Sequence, residues 1–317
     1  MKNNIVRQKD IADSLNVSVN TVSHALRDMD DISEPLKERI RNKAVELGYV
    51  PNSLAVKLKT GKTKTIALVY DNLINPYFTI MVEKLFSLIK GKGYDTVIFP
   101  CNKYSIDAKN YSELLQLDVD GVLSFLDVDE QVSSNIEYNR IPIVLVGRLS
   151  KHNISSSYTD DFGGGAFVGK YFKEKNYQKI LYLYPEMIEN SSRRYNGLIS
   201  EFNQKNVISK TYSDEFEVGD ILNDVANEGV EAVFCFNDVV ATILKRYVEE
   251  NGLKMEIVGF DSIHSELPFF ESMTSIRYNF NDVAKNAVDI LFDIIKEKNT
   301  DVRKIEVPVS LYIKGEA

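Results

Sequence analysis

From Thr65 onward the chain alternates short apolar runs with longer amphipathic segments, and this alternation limits its fold more than any other feature. Strand candidates are residues 65–70, 95–99, 121–125, 143–146, 179–184, 232–236 and 255–259, and segments such as 77–90 and 239–250 between them have helical spacing. Repeated strand–helix units build parallel sheets covered on both faces, so this part is expected to be α/β. Sites in such sheets lie beyond the carboxyl ends of the strands. The residues found there are Asp71 with Asn75-Pro76-Tyr77-Phe78, then Cys101-Asn102-Lys103, Gly147-Arg148, Asn190 and Arg194, Asn237-Asp238, and Asp261. Phe216 and Phe280 offer aromatic walls. Such a mixture of carboxylates, amides and cations suits a polyhydroxylated ligand, whose hydroxyls need paired donors and acceptors. Strand-end Asp and Asn also cap helices, the role expected of Asp238, and Asp160 is expected to be structural.

The first 64 residues differ. They hold 12 of the 38 Lys and Arg but only 8 of the 46 Asp and Glu, so a basic head precedes an acidic body. A head of that kind is the part expected to meet a polyanion. Ile11, Ala12 and Leu15 have helical spacing, Asn16-Val17-Ser18 breaks it, and Ser18 can cap a second helix. In that helix Val22, Ala25 and Leu26 share one face, while Asn20, His24 and Arg27 share the other. A third helix is expected from about Ser33 to Leu47, stopped by Gly48. Two short helices around a three-residue turn, braced by a third, form a helix-turn-helix whose second helix enters the major groove. Residues 51–61 read as a helix of about two turns, too short to be stable alone and expected to order only with support.

The head closely resembles the LacI/GalR family of bacterial transcription regulators. The resemblance rests on Asp10-Ile11-Ala12, Val17-Ser18, Thr21-Val22-Ser23, Ile32-Ser33 and Gly48-Tyr49-Val50-Pro51-Asn52, followed by Ala55 and Leu58, without gaps. It implies that Val19, Asn20 and His24 read base edges, with Arg27 on the same face. It also implies that Ser18, Thr21, Ser23 and Ser33 bond phosphates or cap helices. Asn52 would begin a hinge helix, Ala55 would approach the minor-groove floor, and Leu58 would be the apolar wedge that kinks the duplex.

The body resembles the family's two-lobed, periplasmic-binding-protein-like effector domain. Matching pieces include Val119-Asp120-Gly121-Val122, Arg194-Tyr195-Asn196-Gly197-Leu198, Phe234-Cys235-Phe236-Asn237-Asp238, Gly259-Phe260-Asp261 and Met273-Thr274-Ser275-Ile276-Arg277. The likeness runs to about Ile313. It implies effector contact by Arg194, Asn237 and Asp261, with Asp71, Lys103, Asn190, Phe216 and Phe280 lining the pocket. Arg148 joins them as a strand-end cation. The expected organisation is a head over 1–50, a hinge and linker over 51–63, and a body over 64–317. Its N-lobe would combine about 65–160 with 281–306, and its C-lobe about 161–280 with 307–314. Tyr278-Asn279 stands where many members have Gln-Pro, and the chain has no tryptophan. No leucine heptads follow the last strand, so a homodimer is expected.

Other classes find less support. His24, His152 and His264 have no metal-ligand spacing, and no phosphate-cradling loop or nucleophile elbow occurs. No cofactor is expected, and no reaction. The N-terminus lacks a signal-peptide core, and no run approaches the ~20 apolar residues of a membrane helix. Cytoplasmic location is therefore expected, with Cys101 and Cys235 as reduced, buried thiols. The expected function is a repressor of sugar-utilisation genes that binds a palindromic DNA operator and is controlled by a small sugar-like effector. The alternatives are a partner protein, sugar phosphate or purine as co-regulator, or, outside the family, a sugar-binding or sugar-converting α/β protein.

Overall fold

The computed structural model describes residues 6–49, 61–71, 73–101, 105–136, 141–185, 188–296 and 301–315, and it divides into two compact units, Met1–Thr63 and Lys64–Ala317. The first unit holds α1 (Gln8–Leu15), α2 (Val19–Leu26) and α3 (Glu34–Leu47). Asn16, at φ 56°, ends α1, a conformation its short polar side chain tolerates. Ser18 opens α2 by accepting the Thr21 N–H at 3.0 Å. Pro35 sits in the first turn of α3, where its missing N–H costs nothing, and Gly48 closes the helix at φ 69°. Ile11, Ala12, Val22, Ala25, Ile40 and Ala44 form the small core. Lys37 and Arg41 of α3 add ion pairs to Asp28 at 3.0 and 2.6 Å, holding the loop between α2 and α3.

The second unit begins with β1 (Thr65–Tyr70), α4 (Pro76–Gly91), β2 (Asp95–Pro100), β3 (Ser105–Ile106) and α5 (Ala108–Gln116). It continues through β4 (Gly121–Ser124), β5 (Asp127–Val128), α6 (Glu130–Ile136), β6 (Ile143–Val146) and β7 (Ser155–Thr159). The chain then enters a second lobe through α7 (Asp161–Glu174), β8 (Ile180–Tyr184), α8 (Glu189–Glu201), β9 (Val207–Thr211) and α9 (Val218–Val225). That lobe continues with β10 (Ala232–Cys235), α10 (Asp238–Glu250), β11 (Glu256–Asp261) and β12 (Ser275–Tyr278). The chain returns to the first lobe for α11 (Phe280–Ile295) and β13 (Lys304–Val307), and crosses once more to β14 (Val309–Tyr312).

Each lobe is built on a six-stranded sheet, ordered β13-β7-β6-β4-β1-β2 in the first and β14-β12-β11-β10-β8-β9 in the second. All pairings in these sheets are parallel except β12 with β14. Successive residues of β1 show why the apolar runs are nearly continuous. Ile66 and Leu68 pack under α4 and α11, while Ala67 and Val69 face Tyr111 and Leu114 of α5. In the second lobe Leu181 and Leu183 face α9 and α10, and Ile180 and Tyr182 face α7 and α8. A strand buried on both faces has no room for alternation with polar residues. The seven apolar runs are strands to within two residues, and β7, β9, β12, β13 and β14 join them. Among the described residues no helix is long and apolar enough to cross a membrane.

Candidate functional site

The head presents one polar surface. Val22 and Ala25 turn α2 inward, which leaves Val19, Asn20 and Arg27 exposed and Thr21, Ser23 and His24 half-exposed. Several of these groups are already oriented. The Ser18 and Thr21 hydroxyls lie 2.8 Å apart, and Arg27 Nε donates to the Ser23 carbonyl at 2.9 Å. His24 Nδ1 lies 2.5 Å from Asp31 Oδ2. A carboxylate only accepts, so Nδ1 carries the proton and Nε2 remains as the ring's other polar atom. Ser33 stands at the N-cap of α3 without a capping bond from its side chain, leaving its hydroxyl outside that role. Asn52, Ala55 and Leu58 lie outside the described residues.

In the body, the carboxyl ends of the two parallel sheets meet around a cavity of about 420 Å³, within the usual size of a small-molecule site. The first lobe contributes Asp71, Gly147 and Arg148, with Tyr77, Phe78 and Phe125 as an aromatic wall. The second contributes Asn190, Arg194, Asn237 and Asp261, with Phe236 and Tyr278. Asp71, Arg148, Asn190, Arg194, Asn237 and Asp261 are thus brought together from strands far apart in sequence. Lys103 lies outside the described residues, as does the side chain of Phe216. Phe280 is placed differently from its expected pocket role. It is 1% exposed, sits in the first lobe's core and stacks on Tyr278 at 4.7 Å. Opening α11, its ring points under the helix, and Tyr278 takes the cavity position.

Arg194 is the most tightly held group. Its Nε donates to Asp161 Oδ1 at 2.7 Å, and its Nη1 donates to the Phe236 carbonyl. The Phe260 and Phe236 ring centroids lie 3.5 and 4.4 Å from the guanidinium carbon. Burial disfavours its charge, but Asp161 and Asp261 outweigh burial and hold its pKa above the ordinary arginine value. Asn190 braces the same carboxylate, giving its amide protons to Asp161 Oδ2 at 2.8 Å and to the Gly147 carbonyl at 3.1 Å. Asp261 lies at φ 105°, a strained conformation for an aspartate, and accepts the Tyr278 hydroxyl at 3.0 Å. Burial pushes its carboxyl up to about 7, against the pull of Arg194.

The helix cap expected of Asp238 falls to its neighbour. Asn237, not Asp238, caps α10, accepting the Val240 N–H at 3.0 Å. Asp238 is buried behind it, where it accepts the Ile263 N–H at 2.7 Å and the Ser275 hydroxyl at 2.6 Å. Asp160 caps α7, accepting the Gly163 N–H at 2.8 Å. Sequence reasoning passed over Asp161, Tyr212, Asp214, Glu215 and Phe236. Recognition of β9 would have pointed to residues 212–215, which follow its carboxyl end and line the cavity.

A helix-turn-helix unit ahead of a two-lobed α/β unit with a ligand-sized cleft defines a DNA-binding regulator with its own effector domain. The family model for bacterial regulatory proteins of the lacI family matches residues 8–52, and that for periplasmic binding protein-like domains matches residues 170–315. The transcriptional repressor PurR of Mannheimia succiniciproducens is 27% identical over 325 residues, covering 96% of this chain and 97% of that protein. The lac repressor dimer bound to operator and the anti-inducer ONPF shares the fold with a TM-score of 0.80 at 20% identity, over 96% of this chain and 97% of that one. A LacI-family regulator from Enterococcus faecium with bound ribose shares it with a TM-score of 0.69 at 22% identity, over 78% of this chain and 96% of that one. The chain belongs to the LacI/GalR family and is a DNA-binding transcription regulator.

Proposed function

We propose that this chain is a homodimeric repressor whose affinity for a palindromic operator is set by a small sugar-like effector bound between the lobes. The observation that carries the effector half is the convergence of polar groups from both lobes on one cavity. The Arg194 guanidinium is fixed before any ligand arrives, so its remaining N–H groups form a pre-oriented donor set. Asp261 offers an acceptor beside it. Asn237 spends its carbonyl on the α10 cap, which leaves its amide protons for a ligand oxygen. Asp71 and Arg148 reach in from the opposite lobe, so one ligand touches both and its binding favours a particular lobe geometry. The repressor named among the relatives and the ribose in a neighbouring structure support the sign and the ligand class.

In the head, Val19, Asn20 and His24 take the base edges while Ser18, Thr21, Ser23, Arg27 and Ser33 position the phosphates. Asn52, Ala55 and Leu58 act in the hinge, whose pairing the effector weakens through the lobes. DNA and effector then oppose one another by linkage, typically by about 1–3 kcal/mol. Selection of duplexes from a random pool by the full chain tests this reading. A two-fold symmetric site is expected, because a two-fold protein matches a two-fold site. Absence of any enriched sequence overturns it. A purine, a sugar phosphate or a protein that releases the selected DNA where sugars do not would replace the effector class.

A further inference from the structure

The second crossing between the lobes is a single residue long. β12 ends at Tyr278 and α11 begins at Phe280, so only Asn279 stands between a strand of the second lobe and a helix of the first. Asn279 is itself fixed, because its side chain caps α11 by accepting the Asn281 N–H at 2.9 Å. So short a connection has little slack, and a displacement of Tyr278 is passed on to α11. The ring of Tyr278 also belongs to both lobes. It stacks on Phe280 at 4.7 Å and lies 6.4 Å from the ring of Phe260 in β11. It packs against the core of the first lobe and against a core of the second.

The polar end of the same ring lies in the cleft, beside Asp261. The Tyr278 hydroxyl donates to Asp261 Oδ1 at 3.0 Å, and among the described residues it is the one hydrogen-bond donor to that carboxyl group. Arg194 attracts the carboxylate as well, through its charge. Burial and the charge of Asp261 hold the Tyr278 phenol well above its ordinary range, so it keeps its proton and remains the donor. Asp261 is 6% exposed, so little of its carboxyl group is open to a ligand while the phenol is in place. A phenol O–H and a sugar O–H are donors of the same kind. The protein therefore fills, with its own hydroxyl, an acceptor position that an effector hydroxyl needs.

We propose that Tyr278 is an internal competitor of the effector: an effector hydroxyl takes Asp261 only by displacing the Tyr278 hydroxyl, and the displaced ring carries the movement across Asn279 into the first lobe. The proposal rests on the effector reading above. Tyr278→Phe keeps the ring and its packing and removes only the competing hydroxyl. Calorimetric titration of the full chain with ribose, glucose, galactose and mannose, wild type beside variant, tests it, with a cooperative melting transition showing that both are folded. The sugar that binds wild type is expected to bind the variant about fivefold or more tightly, because no bond to a carboxylate has to be broken first. A residue that merely contacts the ligand would change affinity in the opposite direction. Without any sugar, the variant's affinity for the selected operator should move part of the way toward that of the sugar-saturated wild type, since losing the bond favours the geometry in which it is broken. Sugar affinity unchanged or weakened in Tyr278→Phe overturns the proposal and leaves the sugar-effector reading standing, as does a sugar-free operator affinity that does not move. Failure of all four sugars to bind either protein overturns both.

Discussion

The base-reading role proposed for His24 starts from a ring that its own unit already orients. Nδ1 is turned to Asp31 at 2.5 Å, which leaves Nε2 as the ring nitrogen for a base edge in the major groove. His24→Ala is expected to relax preference at one operator position while leaving the salt dependence nearly unchanged. Anisotropy titrations on single-base operator variants would check this, and a uniform loss across sequences would assign His24 to the backbone instead. In the body, Arg194→Ala should cost about 3–5 kcal/mol in denaturant unfolding, because it strands the Asp161 carboxylate in the interior. Asp261→Asn keeps the shape of the cavity and should abolish the response to effector with operator binding retained, measured by DNA release. The strand-end polar residues were legible in the sequence because a parallel sheet exposes its functional groups there. Asp161 was not, since its importance comes from Arg194 on a different helix. Phe280 was misplaced because no spacing rule says whether an aromatic opening a helix turns toward a cleft or beneath the helix.

The elements carry effects that single residues do not reveal. β7 reads as Ser155-Ser156-Ser157-Tyr158-Thr159 and gave no apolar signal, yet all five residues are buried between β6 and β13. Small serines fit between covering layers, and the ladder on both edges satisfies the backbone, so hydrophobicity was the wrong guide to this strand. α7 and α8 pack backbone to backbone through glycines. A Cβ on Gly165 would lie 2.0 Å from the Arg194 carbonyl oxygen, and one on Gly197 would lie 1.9 Å from that of Phe162. Gly165→Ala must push α8 away, and with it Asn190 and Arg194. The expected result is a loss of about 1–3 kcal/mol by denaturant titration together with weaker ligand binding. The α10–β11 junction should make stability depend on pH. Burial pushes Asp238 up to about 8, with the charge of Asp261 adding to it, and pushes Asp261 up to about 7, against an ordinary value of 3.8. Between pH 3.8 and about 8 the folded chain keeps protons that the unfolded chain has released. Stability is therefore full at the acid end of that window and falls as pH rises through it. Asp238→Asn, whose carbonyl can still accept from Ile263 and whose amide can donate to Ser275, should flatten that fall in unfolding curves recorded from about pH 5 to about pH 8.

At the scale of the whole molecule, the architecture was legible because its two signals are periodic and local: a helix-turn-helix pattern in the first 50 residues and repeated strand–helix units after them. The two-lobed division also depends on three crossings, after β7, after β12 and between β13 and β14. Residue spacing alone does not show those crossings, and family resemblance supplied them. Their consequence is a cavity whose walls belong to both sheets, so occupancy and lobe geometry are one equilibrium. If that equilibrium controls DNA binding, reciprocity requires the operator to shift effector affinity by the same factor as the effector shifts operator affinity. The coupling proposed is between the DNA-reading head and the effector cleft of one chain. Its most direct test is the affinity of the full chain for its selected operator, by fluorescence anisotropy at fixed salt, with and without the compound that most raises its melting temperature. Operator affinity is expected to fall about 5- to 150-fold, with the same factor in effector affinity when DNA is the titrated partner. An operator affinity unchanged by a ligand that fills the cleft would contradict it.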